Sequence, residues 1–225
     1  MLKFYFNGSP NPTKVALCLE EMGLPYQAIP IDTRKGDQFK PELTALNPNQ
    51  KVPVIVEGDV TVFDSNAILL YLGEKTGKFM PEPTPAKKAE LLSWMMFVAS
   101  GIGPYSGQAV HFKHFAKTPQ PYAHDRYQYE ANRHFGIVEA RLKAQPYMVG
   151  KTYTVVDMAL WSWARMATFI MGDDVWAKYP NVKRLHDEIS ARPAAQRAVA
   201  LKDKHVFKAE MDDEARRNMF KHVAL

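Results

Sequence analysis

Three short polar segments hold the residue types with which chemistry is done, and each stands at the end or the start of an apolar run. The first is Ser9-Pro10-Asn11-Pro12-Thr13-Lys14, directly after Leu2–Phe6 and Asn7-Gly8. A strand-to-helix joint there gathers free N–H groups and the positive end of a helix dipole, which suits a phosphate, a carboxylate or a thiolate. Ser9 and Asn11 add two short polar side chains, although capping of the helix accounts for them as well. The second is Val52-Pro53, between Asn47-Pro48-Asn49-Gln50-Lys51 and Val54-Ile55-Val56. A proline that opens a strand is either an edge residue or the site of a cis peptide, and the cis form would present the Val52 N–H and C=O to a peptide ligand. The third is Asp64-Ser65-Asn66-Ala67-Ile68, a second strand-to-helix joint. Ser65 with the first helical N–H groups suits a carboxylate and Asp64 an ammonium, so the pair fits the zwitterionic end of an amino acid. Ordinary N-capping is the other reading of the same residues.

Other residues with chemical potential point to structure. Cys18 is the single cysteine of the 225 residues, which excludes an internal disulfide, a CxxC pair and a Cys-rich zinc site. It lies on the apolar stripe of the first helix and reads as an inert core thiol. His111 and His114 have half the spacing of a metal site and no clear third ligand, so no metal is expected. Asp157 in Thr154-Val155-Val156-Asp157 reads as a capping box. Asp212–Arg217 reads as a solvated tail or helix.

The elements that must position the three segments follow from periodicity. Leu2–Phe6 is a strand. Pro12–Met22 is a helix, with Val15, Cys18, Leu19 and Met22 on one stripe, Asn11 as its N-cap and Gly23 as its stop. Gln27–Ile31 is a strand and Gln38–Leu46 a short helix. Val52–Val56 and Val60–Phe63 form a hairpin around Glu57-Gly58-Asp59, and a helix runs from Asp64-Ser65 to about Thr76. The three prolines of 80–86 mark a linker. Helices are expected over Lys87–Ser100, Ala123–Lys143, Val156–Met171 and Asn181–Arg192. The expected organisation is an α/β domain over 1–80, a Pro-rich linker at 81–86 and an all-α domain over 87–225. Apolar residues make up 46% of the chain and charged residues 24%, a globular balance that excludes a disordered chain. The net charge is −1 over 1–80 and +6 over 81–225, with no run of five or six like charges, which argues against nucleic acid as a partner. No apolar stretch is long enough to span a membrane, and the N-terminal apolar run is too short for a signal peptide. With the lone cysteine, this suits a cytoplasmic address.

The three segments in this order, within a βαβ-ββα unit followed by helices, resemble the cytosolic glutathione transferase family over essentially the whole chain. The resemblance rests on Lys51-Val52-Pro53, Asp64–Leu72, the Pro-rich linker and the Thr154–Asp157 box. Ser9-Pro10-Asn11, Gly36–Glu42, Gly103-Pro104, Gly107-Gln108 and Tyr122–Gln128 look like the bacterial nu class, known for glutathione-dependent disulfide-bond reductases. The family implies a thioredoxin-like first domain, an all-helical second domain, glutathione as cosubstrate and a homodimer.

At matching positions the resemblance also implies roles. Val52, before a cis Pro53, would hold the cysteinyl backbone of glutathione, and Asp64 and Ser65 its γ-glutamyl end. Gln38 and Lys51 would reach the glycyl end, Ser9 and Asn11 would face the sulfur, and Arg126 would reach the glutathione of the neighbouring subunit. Many relatives have Glu where this chain has Asp64, and the nearest have Thr at Ser9. Tyr5 competes as a catalytic hydroxyl, because other classes use a tyrosine near the first strand. An electrophile pocket between the domains would draw on Tyr105, Gln108, Phe112, Trp163 and Arg165. The expected activity is attack by the glutathione thiolate on a disulfide or an electrophilic carbon. The alternative is a non-catalytic dimer that kept the fold as a binding or regulatory module.

Overall fold

The computed structural model describes residues 1–220, so positions 221–225 of the expected helical domain lie outside the described residues. The chain forms two compact units, one made of Met1–Leu72 with the chain from Pro193 onward, the other of Gly73–Arg192.

In the first unit, β1 (Leu2–Phe6) leads into α1 (Pro10–Met22), then β2 (Tyr26–Pro30) and a 3-10 turn at Asp37–Phe39. These are followed by α2 (Pro41–Leu46), β3 (Val54–Glu57), β4 (Val60–Phe63) and α3 (Ser65–Thr76). The strands form one sheet in the order β2-β1-β3-β4, with β1 and β2 parallel and the other pairs antiparallel. This is the thioredoxin-like arrangement expected. Phe4 and Phe6 are buried on one face of β1. Tyr5, on the other face, packs against Ile31, Leu43 and Val54. Strand alternation thus puts the Tyr5 ring into a core cluster.

Among the boundaries that differ from the periodicity reading, three matter most. Helix α1 starts at Pro10, with extended Ser9 (φ −77°, ψ 164°) as the N-cap residue in place of Asn11. Proline's fixed φ suits the first helical turn, where its missing N–H is no loss. The helix expected over Gln38–Leu46 is split, because Pro41 holds Lys40 extended (φ −63°, ψ 141°) between the 3-10 turn and α2. The helix expected over Val156–Met171 breaks at Arg165-Met166.

The second unit is helical: α4 (Pro85–Phe97), α5 (Gly103–Val110), α6 (Pro121–Ala144), α7 (Val155–Ala164), α8 (Ala167–Met171), α9 (Val175–Lys178) and α10 (Pro180–Ser190). Wide π-type turns at Val98–Ile102 and His111–Phe115 flank α5. Periodicity passed over α5, although Gly103-Pro104 is a helix-start signal. The expected box at the start of α7 is present. The buried Asp157 carboxylate accepts from Met148 N (2.7 Å), Thr154 N (2.8 Å) and Thr154 Oγ1 (3.0 Å). Burial still pushes its pKa up to about 6.

The chain then returns to the first unit with α11 (Pro193–Ala200) and α12 (Asp213–Met219), so the segment read as tail or helix is a helix. The helices from Pro193 onward lie within the 87–225 span expected to be helical, and they pack with the first unit. Helix α11 packs along α1, and Arg197 Nε stands 2.6 Å from Glu20 Oε2. Beyond it, His205 and Phe207 set their rings edge-on to Phe6 at 5.2 and 6.0 Å. Apolar cover of α1 and β1 holds this segment in the first unit.

Candidate active site

Strand register brings the three polar segments together. Tyr5 pairs with Val54 across β1 and β3, and Val54 with Phe63 across β3 and β4. The loop after β1, the Val52-Pro53 peptide before β3 and the Asp64-Ser65 joint after β4 therefore lie at one end of the sheet. The Val52-Pro53 peptide bond is cis, one of the two readings open from the sequence.

The first helix start is nearly empty of backbone donors. Pro10 and Pro12 have no N–H, and Thr13 N bonds Ser9 O at 3.1 Å. The N–H groups expected to gather there reduce to that of Asn11. The Asn11 side chain is half-buried and makes no hydrogen bond among the described residues. Ser9 is exposed, and its hydroxyl donates to Asn7 Oδ1 at 2.6 Å, an acceptor that also takes Ser9 N at 3.0 Å. The Ser9 hydroxyl is thus oriented by Asn7, while Asn11 keeps both an amide side chain and a backbone N–H for an incoming anion.

The second helix start is organised by Asp64. Its backbone is left-handed (φ 69°), and its Oδ1 accepts from Asn66 N (2.9 Å) and Ala67 N (3.1 Å). Capping is therefore real here, and it uses one carboxylate oxygen. Oδ2 takes no hydrogen bond among the described residues, nor does the hydroxyl of the buried Ser65.

The two residues expected at the glycyl end differ. Gln38 is buried, and its Nε2 donates to Thr33 O (3.2 Å) and Asn218 O (3.0 Å). With both N–H bonds engaged it has no donor left for a carboxylate. The returning C-terminal segment thus makes the Gln38 side-chain amide a strut of the 32–40 loop. Lys51 is exposed, without an ion pair among the described residues.

Two organising residues escaped the sequence reading. Asn47 is buried: its Nδ2 donates to Lys51 O (2.8 Å), its Oδ1 accepts from Asn49 N (2.9 Å), and its own carbonyl accepts from Gln50 N (2.9 Å). It builds the turn before Val52-Pro53, and the Asn-Pro dipeptide is the signal that would have found it. Lys14 is buried under α1, with Nζ 3.1 Å from Asn66 Oδ1.

Cys18 is fully buried, 3.7 Å from Met22 Sδ, and burial drives its thiol far above the ordinary range. A thiol held neutral is a poor nucleophile, so protein-based disulfide chemistry at Cys18 is disfavoured.

The remaining expected residues lie in the second unit. The Tyr105 ring stacks on His134 at 4.9 Å, and Phe112 stacks on Tyr127 at 5.4 Å. Trp163 is buried with its Nε1 unpartnered, and a Cβ at Gly103 would stand 3.3 Å from that nitrogen. Gln108 is exposed on α5. Arg165 lies 5.2 Å over the Trp161 ring, and neither a hydrogen bond nor a ring contact joins it to Tyr105, Gln108 or Phe112. Arg126 pairs with Glu130 at 2.8 Å on its own helix. His114 is engaged by Phe169, with Nε2 2.9 Å from its carbonyl oxygen. Among the described residues no cluster of three His, Cys, Asp or Glu could hold a metal ion, and no helix is long and apolar enough to cross a membrane.

Comparison with known proteins agrees with this geometry. Residues 8–75 match the glutathione S-transferase N-terminal domain and residues 109–197 the glutathione S-transferase C-terminal domain. The chain is 39% identical over 221 residues to the disulfide-bond oxidoreductase YfcG of Escherichia coli, covering 95% of this chain and 98% of that one. It is 34% identical over 214 residues to the disulfide-bond oxidoreductase YghU of the same organism, covering 87% and 73%. A glutathione transferase of Burkholderia graminis with two glutathione molecules bound per subunit superposes with a TM-score of 0.84 at 34% identity, covering 91% of this chain and 89% of that one. One from Pseudomonas putida with a glutathione disulfide bound gives 0.82 at 32% identity, covering 88% and 90%. A cis-proline strand between an uncapped helix start and an aspartate-capped one, on a four-stranded mixed sheet, is thus the arrangement of a chain that belongs to the glutathione S-transferase family.

Proposed function

We propose that the protein is a glutathione-dependent disulfide-bond reductase in which the reacting sulfur arrives with the ligand. The observation that carries this reading is Asn11, which keeps its amide and its backbone N–H unbonded at the sheet end shared with Val52 and Ser65. A free thiol titrates near 8.5, so a nucleophilic thiolate at neutral pH needs stabilising, at about 1.4 kcal/mol for each unit by which the pKa is lowered. One hydrogen bond to a charged group supplies about 1.5–3 kcal/mol, which Asn11 alone can provide. Ser9 assists once its hydroxyl leaves Asn7.

In this reading Val52 pairs with the cysteinyl backbone, Ser65 takes the γ-glutamyl carboxylate, and the free oxygen of Asp64 takes its ammonium. Lys51 meets the glycyl carboxylate. One glutathione thiolate attacks a substrate disulfide, forming a mixed disulfide and releasing one substrate thiolate. A second glutathione thiolate attacks the glutathionyl sulfur, which releases the other substrate thiolate as glutathione disulfide forms. Two glutathiones are oxidised and one disulfide is reduced, and the released thiolates take up protons from water. The buried thiol of Cys18 and the relatives named disulfide-bond oxidoreductases support this route over a protein dithiol. Tyr105, Phe112 and Trp163 are proposed contacts of the second substrate. A homodimer, with Arg126 released from Glu130 to meet the neighbouring subunit's glutathione, completes the proposal.

The test is calorimetric binding of glutathione followed by turnover with 2-hydroxyethyl disulfide and with an aryl halide. Binding with disulfide turnover is expected. Turnover of the aryl halide alone would replace reduction by conjugation, and binding without either turnover would favour a regulatory module. No binding at millimolar glutathione would sink the whole reading.

A further inference from the structure

Lys14 is the buried charged group that the proposed mechanism leaves unused. It sits in the first turn and a half of α1, 1% exposed, and its Nζ donates to Asn66 Oδ1 at 3.1 Å. Asn66 belongs to the α3 start, where Asp64 Oδ1 holds Asn66 N and Ala67 N. The ammonium therefore ties the helix start carrying Asn11 to the one carrying Ser65. A lysine has three N–H donors, and Asn66 takes one of them. Burying a cation costs several kcal/mol, and replacing it by an apolar side chain of similar volume is often neutral or stabilising, so packing alone does not explain a lysine here.

We propose that Lys14 is a positioning residue that supplies a buried positive charge behind the Asp64–Asn66 turn and so sets the affinity for the anionic γ-glutamyl end of the ligand. This rests on the glutathione reading of the site and names what regulates it. Asp64 is the charged group that acts on Lys14. On α11, Arg197 is paired with Glu20, and on β1 the charged Lys3 is exposed. Farther along α1, Glu21 acts on Cys18. The ligand carboxylate would be the second anion near the ammonium.

The site is then sensitive to pH near neutrality. Burial lowers the Lys14 pKa to about 7, against the pull of Asp64. Below that pH the charge is present and anion binding is strong. Above it the lysine is neutral and binding weakens, while the glutathione thiol becomes more ionised. Affinity and thiolate fraction thus move in opposite directions as pH rises.

The experiment is calorimetric titration of wild type, Lys14→Met and Lys14→Arg with glutathione at pH 6, and with S-methylglutathione from pH 6 to 8.5. S-methylglutathione has no thiol to ionise. The wild type should bind it several-fold more weakly at pH 8.5 than at pH 6. Lys14→Met should bind about tenfold more weakly at pH 6, with no pH slope, while kcat at saturating glutathione stays within about threefold. Lys14→Arg should restore affinity and hold it flat, since arginine stays charged. A folded Lys14→Met with wild-type affinity, or with weaker binding and the wild-type pH slope, would overturn the proposal; should Lys14→Arg not fold, Lys14→Met decides alone. If the wild type binds no glutathione at millimolar concentration, the function proposed above falls, and this inference falls with it.

Discussion

The starts of α1 and α3 look alike in sequence: a strand, one or two short polar residues, then an apolar helix. Their chemistry is opposite. At α3 the Asp64 side chain closes two backbone N–H groups and a backbone bond from Ile68 N to Asp64 O closes a third, which leaves a rigid frame with one free carboxylate oxygen and the Ser65 hydroxyl. At α1 no side chain caps the helix, two prolines remove N–H groups, and Asn11 is left open. A capped start fixes a group that must bind, whereas an uncapped one leaves donors for the charge of the attacking thiolate. The start of α7 marks the structural extreme, with Asp157 capped, buried and closed to any ligand.

That contrast can be broken by substitution. The largest effect is expected for Asn11→Ala, which should lower kcat with a model disulfide by about a hundredfold while the Kd for glutathione moves less than threefold. Equal losses in both would put Asn11 among the binding groups and erase the distinction. Asp157→Ala leaves Met148 N and Thr154 N without their acceptor, and urea unfolding should register a loss of about 3 kcal/mol. A variant as stable as wild type would mean that water replaces the carboxylate. Asp64→Ala should weaken glutathione binding about tenfold and cost about 1 kcal/mol from the lost cap. Loss of stability with binding intact would reduce Asp64 to a cap. Cys18→Ala should keep both turnover and binding and destabilise by about 1–2 kcal/mol through the small cavity it opens. Abolished activity in a folded Cys18→Ala would return the reaction to a protein thiol.

A separate effect concerns Lys14 and stability. Its pKa is depressed to about 7 in the fold and returns to about 10.5 on unfolding, so the unfolded chain binds more protons between those values. Stability of the wild type should therefore rise, relative to Lys14→Met, as pH goes from 7 toward 10. Thermal melts of the two proteins across that range check the sign, and parallel curves would show that Lys14 does not titrate there.

Much of this was legible from residue order. Gly23 stops α1 in the left-handed conformation expected of it (φ 67°), and Glu57-Gly58-Asp59 turns the hairpin. Asp157 capped α7 as read, because that interaction spans three residues and needs no tertiary partner. The readings that failed involve distant chain. The stripe Val15, Cys18, Leu19, Met22 implied one buried face of α1. In the fold Leu17, on the opposite side, is also fully buried. The return of α11 along α1 covers that face, and local periodicity holds no record of a helix so far away in sequence. The same return supplies Asn218 O to the Gln38 amide, a partner that local sequence does not reveal.

The sequence by itself determined the local terms: strand and helix types, the proline-stripped start of α1, the aspartate at the start of α3 and the lone thiol. These depend on φ preferences and on side chains reaching neighbours a few residues away. Only the tertiary structure decided which donors stay open. Register brought Asn11, Val52 and Ser65 to one end of the sheet, and burial enclosed Lys14, whose ammonium meets Asn66 at the start of α3. Those outcomes depend on contacts between residues far apart in the chain, and desolvation is set by the whole surrounding fold.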